Sequence, residues 1–179
     1  MISQILHQLD KTTELLQYFN GSTAIAKTAK TFTATGIHAG LTAGEKVYIT
    51  GTSSGTSDDV YTIDTVATGV LTMVETPAGS NETATITLNQ EYQGAWVKVD
   101  RWANLTGLFN CTGGSATVYV DQSGDGGTTV DYSSSFSATT AVPLAFSVET
   151  LAKHARLRIR NNGTDQTVLR GYLYGRANS

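Results

Sequence analysis

The stretch Ser115–Arg176, SATVYVDQSGDGGTTVDYSSSFSATTAVPLAFSVETLAKHARLRIRNNGTDQTVLRGYLYGR, decides the fold class. Ala116, Val118 and Val120 alternate with Thr117, Tyr119 and Asp121, the period of two that marks a half-buried strand. Gln122-Ser123-Gly124-Asp125-Gly126-Gly127 then reverses the chain, with glycine supplying the positive φ angles that a reversal needs. Leu144, Phe146 and Val148 define a second strand. Ala155 to Arg160 forms a third, alternating strictly up to the turn residues Asn161-Asn162-Gly163. A fourth runs from Gln166 to Tyr174. Short strands split by glycine and polar turns predict an antiparallel β-sandwich.

Upstream, Trp96, Val97 and Val99 open the first strand of this domain, and Trp102, Leu105, Leu108 and Phe109 are expected in its core. The other use for such aromatics is a sugar-binding platform. A second β unit spans Thr31 to Leu88, with strands expected at Lys46–Thr50, Val60–Val66, Gly69–Val74 and Ala84–Leu88. Ser22 to Lys30 is small and polar and reads as a connecting arm. At the amino end Ile2, Ile5, Leu9, Thr12, Leu16 and Phe19 recur at spacings of three and four, which predicts an amphipathic helix stopped by Asn20-Gly21. The stripe Ile2, Ile5, Leu9, Leu16 and Phe19 is the expected oligomer or shell contact, either docked in a groove or bundled at a symmetry axis. Packing on its own subunit is the alternative.

Charged residues make up only 15% of the chain, and the net charge of −3 hides an asymmetry. Met1 to Glu149 carries −8 and Thr150 to Ser179 carries +5. Arg156, Arg158 and Arg160 sit at strand period with Leu157 and Ile159 between them. They read as a solvated, subunit-facing or partner-facing row paired with carboxylates. Phosphate binding is the weaker reading, because no aromatic interleaves with the arginines along the sequence, so no nucleic-acid partner is expected. No apolar run reaches the roughly 20 residues of a membrane span, and Met1 to Phe19 lacks the basic start and unbroken apolar centre of a signal peptide. Cys111 stands alone, which excludes an intrachain disulfide and favours a small buried side chain over a nucleophile.

The chemistry-bearing residues are scattered. His7, His38 and His154 are far apart in sequence, and no hydrolase, zinc or phosphate-loop motif occurs. Asp121 to Gly126 has the first half of a calcium loop, but Tyr132 stands where the bidentate glutamate belongs. A hairpin turn is the expected role, with no catalytic residue, metal or cofactor.

The segments VYVDQSGDG and FSVETLAKHARLRIRNNGTDQTVLRGYLYG resemble a jelly-roll-type β-sandwich module of tailed-bacteriophage virion proteins. Gln122, Ser123, Asp125 and Gly126 match its Gln-Ser-x-Asp-Gly turn. Ala155, Arg156, Arg158 and Asn162 match the next strand, and Gln166 and Thr167 the one after. Gly127, Thr128 and Thr129 intervene before Tyr132, so the hairpin is expected to be longer than in the family. Thr31 to Leu88 is similar to a small β-barrel or β-roll module of phage structural proteins, through Phe32, Gly36-Ile37, Leu41, Gly44-Glu45, Val47, Ile49, Gly51 and Tyr61-Thr62-Ile63. Here Ser57-Asp58-Asp59-Val60 replaces the usual glycine-containing loop.

Together these readings give a mainly β chain. An N-terminal α-helix (1–20) and an arm (21–30) precede a small β-barrel or β-roll (31–90) and an antiparallel jelly-roll-type sandwich (91–179). The resemblance implies a non-enzymatic virion protein, assembled in the host cytoplasm and mounted on the head as a decoration or accessory protein. Its expected partners are the major capsid protein or other virion proteins and copies of itself, as a trimer because threefold symmetry would bury the apolar stripe of the short helix. A tail or fibre component whose sandwich binds host glycans is the alternative. A polysaccharide hydrolase would need two carboxylates about 5 to 10 Å apart across a groove, and the sequence marks no such pair.

Overall fold

The computed structural model describes residues 3–11, 18–37, 39–53, 55, 57–163 and 168–177, and these are all β-strand, turn or irregular chain. The chain divides into two compact units, one formed by Met1–Leu15 with Gln93–Ser179, the other by Leu16–Tyr92. The second is therefore an insertion between the first strand of the first unit and the rest of it.

Strand β1 (Ser3–Lys11) belongs to the first unit. The inserted unit carries β2 (Tyr18–Ala26), β3 (Thr31–Thr33), β4 (Lys46–Thr50), β5 (Asp59–Ala67), β6 (Val70–Met73) and β7 (Glu82–Gln93). The first unit resumes with β8 (Val97–Lys98), β9 (Asn104–Thr112), β10 (Ala116–Ser123), β11 (Tyr132–Ala138), β12 (Leu144–Glu149), β13 (His154–Asn161) and β14 (Val168–Arg176).

The inserted unit is a closed six-stranded antiparallel barrel. Its strands pair in the ring β2-β3-β6-β5-β4-β7 and back to β2. Asn89 of β7 marks the closure, lying opposite Tyr18 on one side and Tyr48 on the other. Alternation fills the interior: Val47 and Ile49, Tyr61 and Ile63, Leu71 and Met73, and Ile86 and Leu88 are all buried, with Phe32 fully enclosed. Burying each such side chain contributes about 1.5–3 kcal/mol.

The first unit is a sandwich of two antiparallel sheets, ordered β1-β14-β9-β12 and β11-β10-β13-β8. That is the strand order of a jelly roll, two interleaved Greek keys, with β1 as its first strand. Leu105, Phe109, Phe146, Leu169 and Leu173 of one sheet are buried with Val118, Val120, Leu157 and Ile159 of the other. The sheets approach closely at Gly171, where an added Cβ would come within 3.1 Å of Leu157 and 3.3 Å of Phe109. Cys111 lies in this interior, fully buried, and burial pushes its thiol pKa up.

The N-terminal helix expected over 1–20 is not there: Ser3–Lys11 and Tyr18–Ala26 are strands, and no helix occurs among the described residues. The physical reason is a register shift between Ile5 and His7 in the pairing of β1 with β14. One extra residue breaks the period of two, so the apolar residues of a strand fall at the spacing of a helix. A lone helix of this length is marginal in water, whereas β14 offers β1 a full ladder. Asn20-Gly21, read as a helix stop, lies inside β2, where Phe19 covers Gly21: a Cβ there would meet the Phe19 ring at 2.8 Å. The expected arm 21–30 is likewise strand as far as Ala26. Of the five residues of the expected stripe, Ile2 and Leu16 lie outside the described residues. Leu9 is opposite Gly171 in the ladder, and its side chain is also outside the description. Ile5 is 53% exposed on the sandwich, and Phe19 packs against the barrel core. The two described side chains of the stripe thus belong to different compact units.

Candidate functional site

Pairing of β10 with β13 places Asp121 opposite Arg156 and Tyr119 opposite Arg158 on the face of the sheet turned away from the sandwich core. Asp121 is fully buried beneath the two guanidiniums. Its carboxylate accepts hydrogen bonds from Arg156 Nε (3.0 Å), Arg158 Nε (2.7 Å), Arg158 Nη2 (3.0 Å) and Ser133 Oγ (2.7 Å). Burial alone would raise the Asp121 pKa. The Arg158 and Ser133 hydrogen bonds and the charges of Arg158 and Arg156 outweigh it and leave the pKa below the ordinary value. Arg156 also lies over Trp96 at 4.7 Å and donates to Gln93 Oε1, while Arg158 lies over Tyr119 at 3.8 Å. Arg160 reaches the same tyrosine ring at 5.4 Å. Aromatics do interleave with the arginines, then, but from neighbouring strands, a relation that linear sequence hides. The arginine row is a packed clamp across β10 and β13, with the Arg156 and Arg158 side chains only 15% and 13% exposed.

The matched turn is spent in the same way. Gln122 Nε2 donates to the Glu149 carbonyl, and its Oε1 accepts from Leu151 N and Ala152 N, tying the end of β10 to the chain beyond β12. Ser123 Oγ donates to Asp125 Oδ1 at 2.6 Å and accepts from Gly127 N at 2.8 Å. Asp125 in turn accepts from Thr129 N and Thr129 Oγ1. The Ser123 and Thr129 hydrogen bonds hold the Asp125 pKa well below the ordinary value. Gly127, at φ +102°, lies so close to Trp96 that an added Cβ would clash with the indole at 2.2 Å. Among the described residues, no three His, Cys, Asp or Glu side chains come together to hold a metal.

The outward face of the sheet β1-β14-β9-β12 is different. Cross-strand register sets Ile5, Tyr174, Thr106 and Ser147 in one row and Gln8, Tyr172, Leu108 and Ala145 in the next. Ile5 is 53% and Leu108 49% exposed, and the rings of Tyr172 and Tyr174 stack with centroids 6.1 Å apart at 24°. Thr106, Leu108, Ala145, Ser147, Tyr174 and Arg176 line an open depression of about 680 Å³ on this face. At one end of the sandwich, a second hollow is lined by Asp131, Tyr132, Leu151 and Lys153, with Tyr132 49% and Leu151 53% exposed.

The sequence reading missed the tyrosine face. The signal lies in the phase of β14: Leu169, Gly171, Leu173 and Gly175 face inward, leaving Arg170, Tyr172, Tyr174 and Arg176 on the other side. The tryptophans weighed as a platform are occupied. Trp102 is only 7% exposed and covers Gly175, and Trp96 lies beneath Arg156.

No protein-family model and no curated protein matches the chain. Among solved structures, the cryo-EM atomic structure of Broad Bean Stain Virus is similar at 12% sequence identity, over 87% of this chain and 84% of that chain, with a TM-score of 0.28.

Proposed function

We propose that the chain is a non-enzymatic structural component of a tailed-bacteriophage virion, a decoration or accessory protein mounted on the head as a homo-oligomer. One observation carries the reading: the described polar residues of the matched turn and of the matched arginine strand are engaged in architecture. Gln122, Ser123 and Asp125 hold the hairpin, and Arg156 and Arg158 grip Asp121. A motif retained for catalysis would instead converge on a cleft where a reacting atom could sit within reach of its side chains. Jelly rolls serve viral shells and lectins alike, so the fold is compatible with this role without assigning it.

The threefold axis argued from a helical stripe loses its basis with the helix. Contacts with the major capsid protein or other virion proteins are instead assigned to the exposed apolar groups at the end of the sandwich, Tyr132 and Leu151. Weak contacts of this kind, repeated over a shell, add through avidity. Mass spectrometry of purified virions, with tail-less heads and isolated tails analysed apart, tests the reading. Fixed stoichiometry in heads supports it. Recovery only in tails moves the protein to the tail, and absence from particles overturns a structural role.

A further inference from the structure

Strand β11 is the last strand in the order β11-β10-β13-β8, and among the described residues only β10 pairs with it. Successive residues of an antiparallel strand point their backbone N–H and C=O to opposite neighbours, so a strand's phase decides which groups reach its open side. Two hydrogen bonds fix that phase here. Asn162 N donates to Ser115 O, continuing the β10–β13 register, so the odd-numbered residues of β10 point to β13. Asp131 N donates to Gln122 O, so the even-numbered residues of β10 point to β11. Val120 lies opposite Ser134 and Val118 opposite Phe136, and these partners answer from β11. Ser133, Ser135 and Ser137 therefore turn their N–H and C=O to the open side, and all three residues are exposed.

An open edge is a template for another strand, and proteins blunt such edges with bulges, charges, proline or shortness. Strand β1 has the irregularity between Ile5 and His7 and contains Asp10 and Lys11. Strand β12 follows directly on Pro143 and ends on Glu149. Strand β11 has none of these: its seven residues keep an unbroken register with β10 and include no charged residue and no proline. An uncharged edge offers a charged partner nothing to pair with, and it does not repel a copy of itself. A twofold axis at Ser135 sets Ser135 opposite the same residue of a second copy and Ser133 opposite Ser137. These are the residues whose backbone groups already face outward, so register and hydrogen-bond phase agree. Their hydroxyls meet hydroxyls across the pair. On the other face Tyr132 comes opposite Ala138 and Ser134 opposite Phe136, a large side chain against a small one each time.

We propose that β11 is the contact between two copies of this chain, pairing antiparallel with its counterpart about a twofold axis at Ser135 and joining two sandwich sheets into one. The inference names an interface for the homo-oligomer of the preceding section and rests on that part of the reading, not on a place on the head.

Sedimentation equilibrium and backbone amide exchange on the full chain test it. The wild type should sediment as a dimer whose fraction falls on dilution. The amides of Ser133, Ser135 and Ser137 should exchange about tenfold faster or more once the dimer is diluted apart, while those of Ser134 and Phe136, bonded to β10, hold their rates. Ser135→Lys sets two ammonium groups opposite each other at the axis, and Ser135→Pro removes an outward N–H while leaving the ladder to β10 in place. Either change should weaken dimerisation about a hundredfold or more. The melting temperature of dilute protein should not move with Ser135→Lys, because Ser135 is exposed. Ser147→Lys, on the edge strand β12, should leave the dimer intact. A chain that is monomeric at every concentration overturns the proposal. So does a dimer that survives both changes at Ser135, or one that is lost in Ser147→Lys instead. Slow exchange at Ser133, Ser135 and Ser137 in the monomer overturns it too, since the chain's own residues would then cover the edge. A monomeric chain still found in heads at fixed stoichiometry removes this interface and leaves the structural role, whereas a dimer absent from particles does the reverse.

Discussion

The barrel and the sandwich are both antiparallel, yet they solve the edge problem in opposite ways. In the barrel every strand is paired on both sides, because β7 pairs with β2 along one edge and β4 along the other. Closure of this kind leaves no strand edge without a backbone partner. Among the described residues the sandwich sheets end at β1, β12 and β11, and a buried carboxylate between two arginines holds the second sheet. The barrel's carboxylates serve its loops instead, Asp58 accepting from Thr52 N and Glu75 from Thr62 N. The sandwich combines packing with the Asp121 clamp between two strands of one sheet.

Replacing a core side chain gives the largest expected effect and bears most directly on this contrast. Phe32 is fully enclosed, with its ring 5.4 Å from that of Tyr61. Tyr61 itself is shut in: burial first, then the charges of Asp59, Asp58 and Glu75, push its phenol pKa up to about 12. Phe32→Ala should cost the barrel about 3–5 kcal/mol. Both tryptophans, Trp96 and Trp102, belong to the sandwich unit, so tryptophan fluorescence reports that unit alone. Circular dichroism should show an earlier barrel transition while the tryptophan transition moves less. Equal shifts in both would mean that the two units melt as one, and the contrast would not survive.

Asp121→Ala addresses the other side. It strands Arg156 and Arg158, both mostly buried, without their counter-charge. Breaking a buried pair from one side costs about 3–5 kcal/mol, less where the surviving charges keep some access to water. The tryptophan transition should fall and the barrel transition should stay. The same clamp predicts an acid limit. Because the folded pKa of Asp121 is lowered, its contribution is fully present above the ordinary aspartate value of about 3.9 and is lost as pH falls through the folded value. Tryptophan-monitored stability should hold from neutral pH to about 5 and drop below about 4. Asp121→Asn should flatten much of that drop, leaving the part due to Asp125, whose pKa is also lowered. An unchanged acid profile in Asp121→Asn would separate the clamp from acid stability.

Much of the sandwich was legible because period two survives undisturbed where a strand is half buried. Ala116–Val120 and Ala155–Arg160 alternate in the sequence and in the structure alike. The amino end misled for a local reason, since a bulge between Ile5 and His7 erases that period. No sequence pattern near Ser3 says that its partner is Arg176, the pairing that completes the jelly roll across the inserted barrel. The candidate site was illegible for a related reason: Tyr174, Thr106 and Ser147 come from three strands and share a face only through register.

Glycines under aromatic rings give a smaller effect that sharpens the contrast. Gly107 lies against the Phe146 ring, which stacks on Phe136 at 5.0 Å, and an added Cβ would fall 2.0 Å from Phe146 Cζ. Gly107→Ala should therefore overpack the sandwich and cost about 1–3 kcal/mol. Gly21 of the barrel has the Phe19 ring nearest, at 2.8 Å, and Phe19 is half-buried, so its ring has solvent on one side to yield into. Gly21→Ala should cost less than Gly107→Ala in denaturant melts. The reverse order would mean that the barrel, not the sandwich, is the more tightly constrained unit.

The smallest effect is expected on the tyrosine face, and its smallness is the point. Leu108 is 49% exposed and points away from the core that its neighbours Leu105 and Phe109 enter. Leu108→Ser removes apolar surface from water without opening a cavity, so the stability of the isolated chain should stay within about 0.5 kcal/mol. The outcome separates two reasons for which a leucine can sit on a sheet surface. If it completes the fold, the melting temperature falls. If it awaits a ligand or a partner, the melting temperature holds and only binding changes. A drop of several degrees that depends on protein concentration would show that a second copy already covers this face in solution, because stability borrowed from association scales with the amount of partner present.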